Sequence, residues 1–178
     1  MYLLIIILIL IISCIIIFYL FSNYFNKFNK EITGSHEKNQ EYYHGSSAKI
    51  NELKPMSSGV LEGESAVFAT DNKSTALMFI GKWNDSDISY GSYGEHHFAL
   101  ELYPNTFDKL KKSGYLYTVS SNGFYHDKRL GLQNEFINKN SVKIIKTEKI
   151  KNAFNEMKKL KEIEFITFDE MLKRLFSN

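Results

Sequence analysis

Tyr43-His44-Gly45-Ser46 sets an imidazole, a residue with no side chain and a hydroxyl in succession. A glycine after a histidine lets a ligand come close to the backbone. Much later, Asn134-Glu135-Phe136 starts an apolar stretch with a carboxylate. A carboxylate at the start of an apolar strand is unusual unless it is exposed on a rim or in a cleft. The plain alternatives are a turn with an incidental histidine and an edge-strand glutamate facing solvent.

Other groupings carry less. Glu95-His96-His97 with Asp85 and Asp87 holds metal-ligating types. Adjacent histidines on a strand point to opposite faces, so the expectation is no metal. Tyr90, Tyr93, Tyr115 and Tyr117 read as packing, with one or two lining a cleft near residues 81–97. Lys158, Lys159 and Lys161 read as the solvated face of a helix. The chain has no phosphate-binding glycine loop, dinucleotide fingerprint or nucleophile elbow.

The elements that must position these residues follow from periodicity and punctuation. Strands are expected at Glu41–His44, Ala66–Thr70, His97–Leu102, Tyr115–Val119, Glu135–Ile137 and Val142–Thr147. Ala48–Leu53 reads as a helical turn stopped by Lys54-Pro55. Asp71 or Asn72 caps a helix from Lys73 to about Ile80. Residues 81–95 read as loop. A short helix follows Asn105 or Thr106 and stops at Gly114. Lys151–Lys161 is amphipathic, and Thr167-Phe168-Asp169-Glu170 is a capping box before Met171–Phe176. Strands and helices do not alternate regularly, which predicts α+β rather than a doubly wound sheet.

Taken in order, three segments resemble the ADP-ribosyltransferase fold, in its poly(ADP-ribose) polymerase-like branch. They are His44-Gly45-Ser46, Val67-Phe68-Ala69 with its following helix, and Asn134-Glu135-Phe136, spanning roughly residues 41–150. The resemblance implies a split mixed β-sheet, with His44 and Glu135 on neighbouring strands and facing one cleft. It implies NAD as substrate: His44 bonds a ribose hydroxyl, while the Gly45 backbone and the Ser46 hydroxyl hold the amide. Glu135 is then the catalytic glutamate, which stabilises an oxocarbenium-like state and can polarise or deprotonate an acceptor, and His44 counts as catalytic beside it as well as cofactor-binding. The family's strand tyrosine is matched by Val67, and its stacking tyrosine by Met78 or Phe79. Phe79 retains the π face. The acceptor implied is a protein or a nucleic acid. Related RNA 2′-phosphotransferases use several arginines, whereas this chain has only Arg129 and Arg174.

The chain has 178 residues, and no Lys, Arg, Asp, Glu or His precedes Lys27. Tyr2 to Phe21 is almost wholly aliphatic or aromatic. As a helix it would run about 30 Å, the hydrocarbon thickness of a bilayer. The run is long and lacks a basic leader, which favours an anchor at residues 1–22 over a cleaved signal or lipoprotein box at Cys14. Lys27 and Lys30 follow it, so the positive-inside rule places the body in the cytoplasm. Residues 23–40 read as a juxtamembrane linker and 41–178 as one α+β domain. A single cysteine excludes a disulfide scaffold, and a net charge of +2 makes no electrostatic case for nucleic acid.

The expectation is a single-pass, membrane-anchored ADP-ribosyltransferase-like protein that contacts the bilayer through residues 2–21. The alternative is a catalytically inactive anchored binding or scaffold protein that keeps the fold.

Overall fold

A computed structural model describes residues 40–176 apart from 94 and 95. The expected anchor and most of the linker lie outside the described residues. Among the described residues, no helix is long and apolar enough to cross a membrane.

The fold is α+β, and its sheets are mostly antiparallel. Strands β1 (Glu41–Ser46), β2 (Glu52–Leu53), β3 (Met56–Ser57) and β4 (Ser65–Thr70) precede helix α1 (Lys73–Met78). Strands β5 (Ile88–Tyr93), β6 (His96–Glu101), β7 (Gly114–Ser120), β8 (Glu135–Asn138), β9 (Val142–Lys143) and β10 (Lys146–Ile150) follow. Helix α2 (Ala153–Leu160), strand β11 (Ile163–Ile166) and helix α3 (Phe168–Phe176) complete the chain.

The largest sheet has six strands in the order β10-β7-β1-β4-β3, with β8 also on β4. Every pairing in it is antiparallel. Mixed character is confined to the three-stranded sheet, where β11 runs parallel to β6 and β5 antiparallel. The expectation of neighbouring strands for His44 and Glu135 is corrected: β4 lies between β1 and β8.

Each face of the large sheet buries a separate core. On one, Tyr42, Val67, Ala69, Tyr117, Val119 and Phe136 pack together. On the other, α1 and the turn after it present Ala76, Leu77, Met78 and Ile80 to Leu116, Ile150, Ala153 and Met157. Alternation along each strand produces this division, since side chains at i and i+2 share a face.

Several local expectations change. Ala48–Leu53 is not a helical turn; Glu52–Leu53 pairs with β9. Residues 81–95 are not all loop, because Ile88–Tyr93 forms β5 and pairs with β6. Gly91 makes that approach possible, since an added Cβ would sit 2.9 Å from the Phe98 ring. Val142–Thr147 divides between β9 and β10. The capping box at Thr167 forms: Glu170 N–H donates to Thr167 Oγ1 at 3.3 Å, and Thr167 N–H donates to Glu170 Oε2 at 2.9 Å.

Candidate functional site

The ladder sets which residues can meet. Tyr43 stands opposite Thr70, and Thr70 opposite Glu135. Residues opposed in an antiparallel pair share a face. Tyr43, Thr70 and Glu135 are therefore on the α1 side. Tyr42, His44, Ala69 and Phe136 are on the other, where Tyr42 and Phe136 stack at 4.6 Å and 14°. His44 and Glu135 do not share a face, contrary to the expectation of one cleft.

His44 sits where β1 and β4 part, after a ladder of one registered pair. Its Nδ1 lies 2.8 Å from the Phe68 carbonyl oxygen. A carbonyl only accepts, so Nδ1 carries the proton and Nε2 is left as an acceptor. Burial lowers its pKa from the usual imidazole value, and the Phe68 hydrogen bond opposes this in part. The ring is neutral at pH 7.

Gly45 has an explanation that needs no ligand. An added Cβ would lie 1.8 Å from the Ala76 carbonyl oxygen. The missing side chain lets α1 rest on β1, so on the α1 side the close approach expected of a ligand is made by Ala76. Ser46 Oγ accepts from Ala48 N–H at 3.2 Å, closing the turn after β1. Its hydroxyl proton remains able to donate.

Two residues matched the family's stacking tyrosine, and burial separates them. Met78 is fully buried in the α1 core. Phe79 caps the end of α1 and is 44% exposed, with its ring 6.3 Å from Trp83. Only Phe79 has a face to offer.

Glu135 begins β8, opposite the buried Thr70. It is half-buried, and desolvation raises its pKa from 4.5 to about 7. No hydrogen bond or ion pair from the described residues offsets this. Glu101 shows the contrast: it is buried too, but its carboxylate accepts from Phe107 N–H at 2.8 Å and Phe168 N–H at 3.3 Å. An unsupported carboxyl of raised pKa is a mark of a working site more than of a structural one.

The approach to β8 is fastened by charge. Arg129 holds Asp127 through Nε and a terminal nitrogen, at 2.9 and 2.8 Å, and reaches Glu64 at 2.8 Å. His126 Nδ1 donates to the Glu135 carbonyl at 2.9 Å. The segment before Glu135 is thus tied down from both sides.

Beside Glu135 lies a polar set absent from the sequence-based site. Asn134 Nδ2 donates to Thr75 Oγ1 at 3.0 Å. Thr75 Oγ1 is also 2.6 Å from Tyr90 OH, and Tyr90 OH is 3.2 Å from His97 Nδ1. Asn134 Oδ1 is buried and has no partner among the described residues. The sequence signal was slight, the short alternation Ile88-Ser89-Tyr90-Gly91, which puts Tyr90 on a strand and not in a loop.

A family-model scan, a search of curated proteins and a search of solved structures each returned no match to this chain. The site's chemistry therefore rests on its own geometry.

Proposed function

We propose that this chain is a membrane-anchored ADP-ribosyltransferase-like protein that cleaves the N-ribosyl bond of NAD and passes ADP-ribose to a macromolecular acceptor. Residues 2–21 tether it, with the domain on the cytoplasmic side. The observation that carries the reading is Glu135: a carboxyl at a strand start, half-buried, with no hydrogen bond or ion pair among the described residues and with its pKa raised to about 7.

Cleavage of a ribosyl–nitrogen bond gathers positive charge on the ribose. A carboxylate in a partly desolvated place stabilises that charge far better than one in water. Glu135 in its ionised form fills this role. His44 is on the other sheet face and does not act at the same atom. Its bare Nε2 accepts a ribose hydroxyl, which is a binding contribution. Phe79 supplies a stacking face for a flat ring.

The reading is tested by thermal shift of the full-length protein with NAD, alongside release of nicotinamide. Ligand at 100 times its dissociation constant adds about 2.7 kcal/mol of stability. No shift and no release would remove it.

The second reading is a catalytically inactive protein that keeps the fold to bind or to scaffold. It is favoured by the opposite faces of His44 and Glu135, by Val67 in place of the strand tyrosine, and by the missing hydroxyl at Phe79. Binding of NAD without any release of nicotinamide would select it.

A further inference from the structure

We propose that the groove between β6, β11 and the C-terminal end of α2 receives a hydroxyl acceptor of the transfer, and that His97 takes that hydroxyl's proton. The assignment rests on the ADP-ribosyl reading above and extends it to the acceptor.

The protons of the polar set can be placed one by one. Asn72 caps α1, and its Oδ1 accepts the Thr75 N–H at 2.8 Å, so that atom is an oxygen. Thr75 Oγ1 is 3.1 Å from the same oxygen and must donate its only proton there. Thr75 Oγ1 is then an acceptor for Tyr90 O–H and for Asn134 Nδ2. Tyr90 has used its proton, so its oxygen accepts from His97 Nδ1–H. His97 is left with a bare Nε2. The ring is held parallel to Tyr90, at 7° and 6.2 Å between centroids.

His97 is also neutral. Burial lowers its pKa, and Asp71 and Glu162 oppose this only in part. A neutral imidazole with one nitrogen anchored and the other bare is the usual arrangement of a general base.

The groove has a volume of about 530 Å³ and is lined by His96, His97, Lys158, Lys161, Glu162 and Glu164, with Phe165 alongside. The lining balances two lysines against two glutamates, with Glu164 paired to Arg174 at 2.9 Å and Glu162 accepting from Ser74 N–H at 3.1 Å. It carries no net charge to gather an ionic acceptor, which suits an uncharged one. A neutral hydroxyl must lose a proton to become an ether oxygen, and that is the proton His97 is placed to take. At the other end of the chain of hydrogen bonds, Asn134 directly precedes Glu135. The network that orients His97 thus ends on the side chain next to the charge-stabilising residue, while the Glu135 carboxyl itself stays outside it.

The step balances. The ribosyl C1′–N bond breaks and its electron pair leaves with neutral nicotinamide. An acceptor oxygen lone pair forms the C1′–O bond. The acceptor proton passes to His97 Nε2 and from there to water.

The test uses the full-length protein with NAD and methanol as the hydroxyl acceptor, and with agmatine as the cationic alternative. His97→Asn keeps a donor for Tyr90 but has no base. It should lower methyl ADP-ribose formation by roughly 10²-fold while NAD affinity stays unchanged. Imidazole should rescue His97→Ala. Nitrogen-15 NMR should find His97 protonated at Nδ1 in the wild type and released from that tautomer in Tyr90→Phe. Undiminished methanolysis in His97→Asn, an Nε2–H tautomer in the wild type, or agmatine modified while methanol is not would each overturn the assignment. A wild type that neither binds nor cleaves NAD would instead overturn the reading beneath it, and this assignment with it.

Discussion

His44 and Glu135 lie two strands apart on opposite faces of one antiparallel sheet, with β4 between them. The Tyr42–Phe136 stack fixes the parity, because each is the chain neighbour or next-but-one neighbour of the residue in question. The consequence is a division of labour. Whatever Glu135 does to a reacting atom, His44 does elsewhere on the same ligand or not at all.

His44→Ala should therefore affect binding and not turnover. Losing one neutral hydrogen bond costs about 1 kcal/mol, or about five-fold in NAD affinity. The nicotinamide-release kcat should stay close to that of the wild type. A kcat loss as large as that of Glu135→Gln would put both residues at one atom and contradict the ladder.

Gly45→Ala should fold poorly. The new Cβ meets the Ala76 carbonyl oxygen at 1.8 Å and its carbon at 2.8 Å, and helix backbone cannot move aside cheaply. A cost of about 3 kcal/mol or more in denaturant unfolding is expected. Gly59→Ala, with no atom within 4 Å of its added Cβ, is the matched control. Equal stability of the two variants would show that α1 does not rest on β1 in this way.

Phe79→Ala separates stacking from packing. The ring is 44% exposed, so its removal should change stability little. If it stacks on a flat ring of NAD, affinity should fall by about five-fold or more. Unchanged affinity, measured by calorimetric titration, would remove Phe79 from the site.

Much of the fold was legible in the sequence. The strand beginning at Glu41, the Asn72-capped helix and the Thr167–Glu170 capping box were readable because capping residues and apolar alternation act locally. The site was less so. Which face His44 and Glu135 occupy depends on the register of β1 on β4 and of β8 on β4, and no local signal sets it. Residues 88–93 were masked by Gly91 and two serines, which mimic a loop, although Gly91 is there because Phe98 lies across it. Tyr90, Thr75 and Asn134 are far apart in sequence, so their network forms only once β5 and β8 are placed against α1.

Glu135→Gln should alter stability in a pH-dependent way. Burial raises the Glu135 pKa above its unfolded value, to about 7, so the fold prefers the protonated form. Its contribution is fully present below about pH 4.5 and is lost as pH rises through about 7. At full ionisation the cost is at most roughly 3 kcal/mol. The glutamine variant escapes it, and should match the wild type in mild acid but exceed it in denaturant unfolding above pH 8. Parallel pH profiles would show that the carboxyl is not desolvated.

The most direct measurement is the rate of nicotinamide release from NAD by full-length wild type and Glu135→Gln across the neutral pH range, with NAD affinity measured beside it. The result expected is a wild-type rate that climbs as Glu135 ionises, with an apparent pKa near about 7. The variant rate should be lower by roughly 10²–10³-fold and flat with pH, at equal NAD affinity. Equal rates in the two proteins, or a wild type that binds NAD and releases no nicotinamide at any pH, would contradict it.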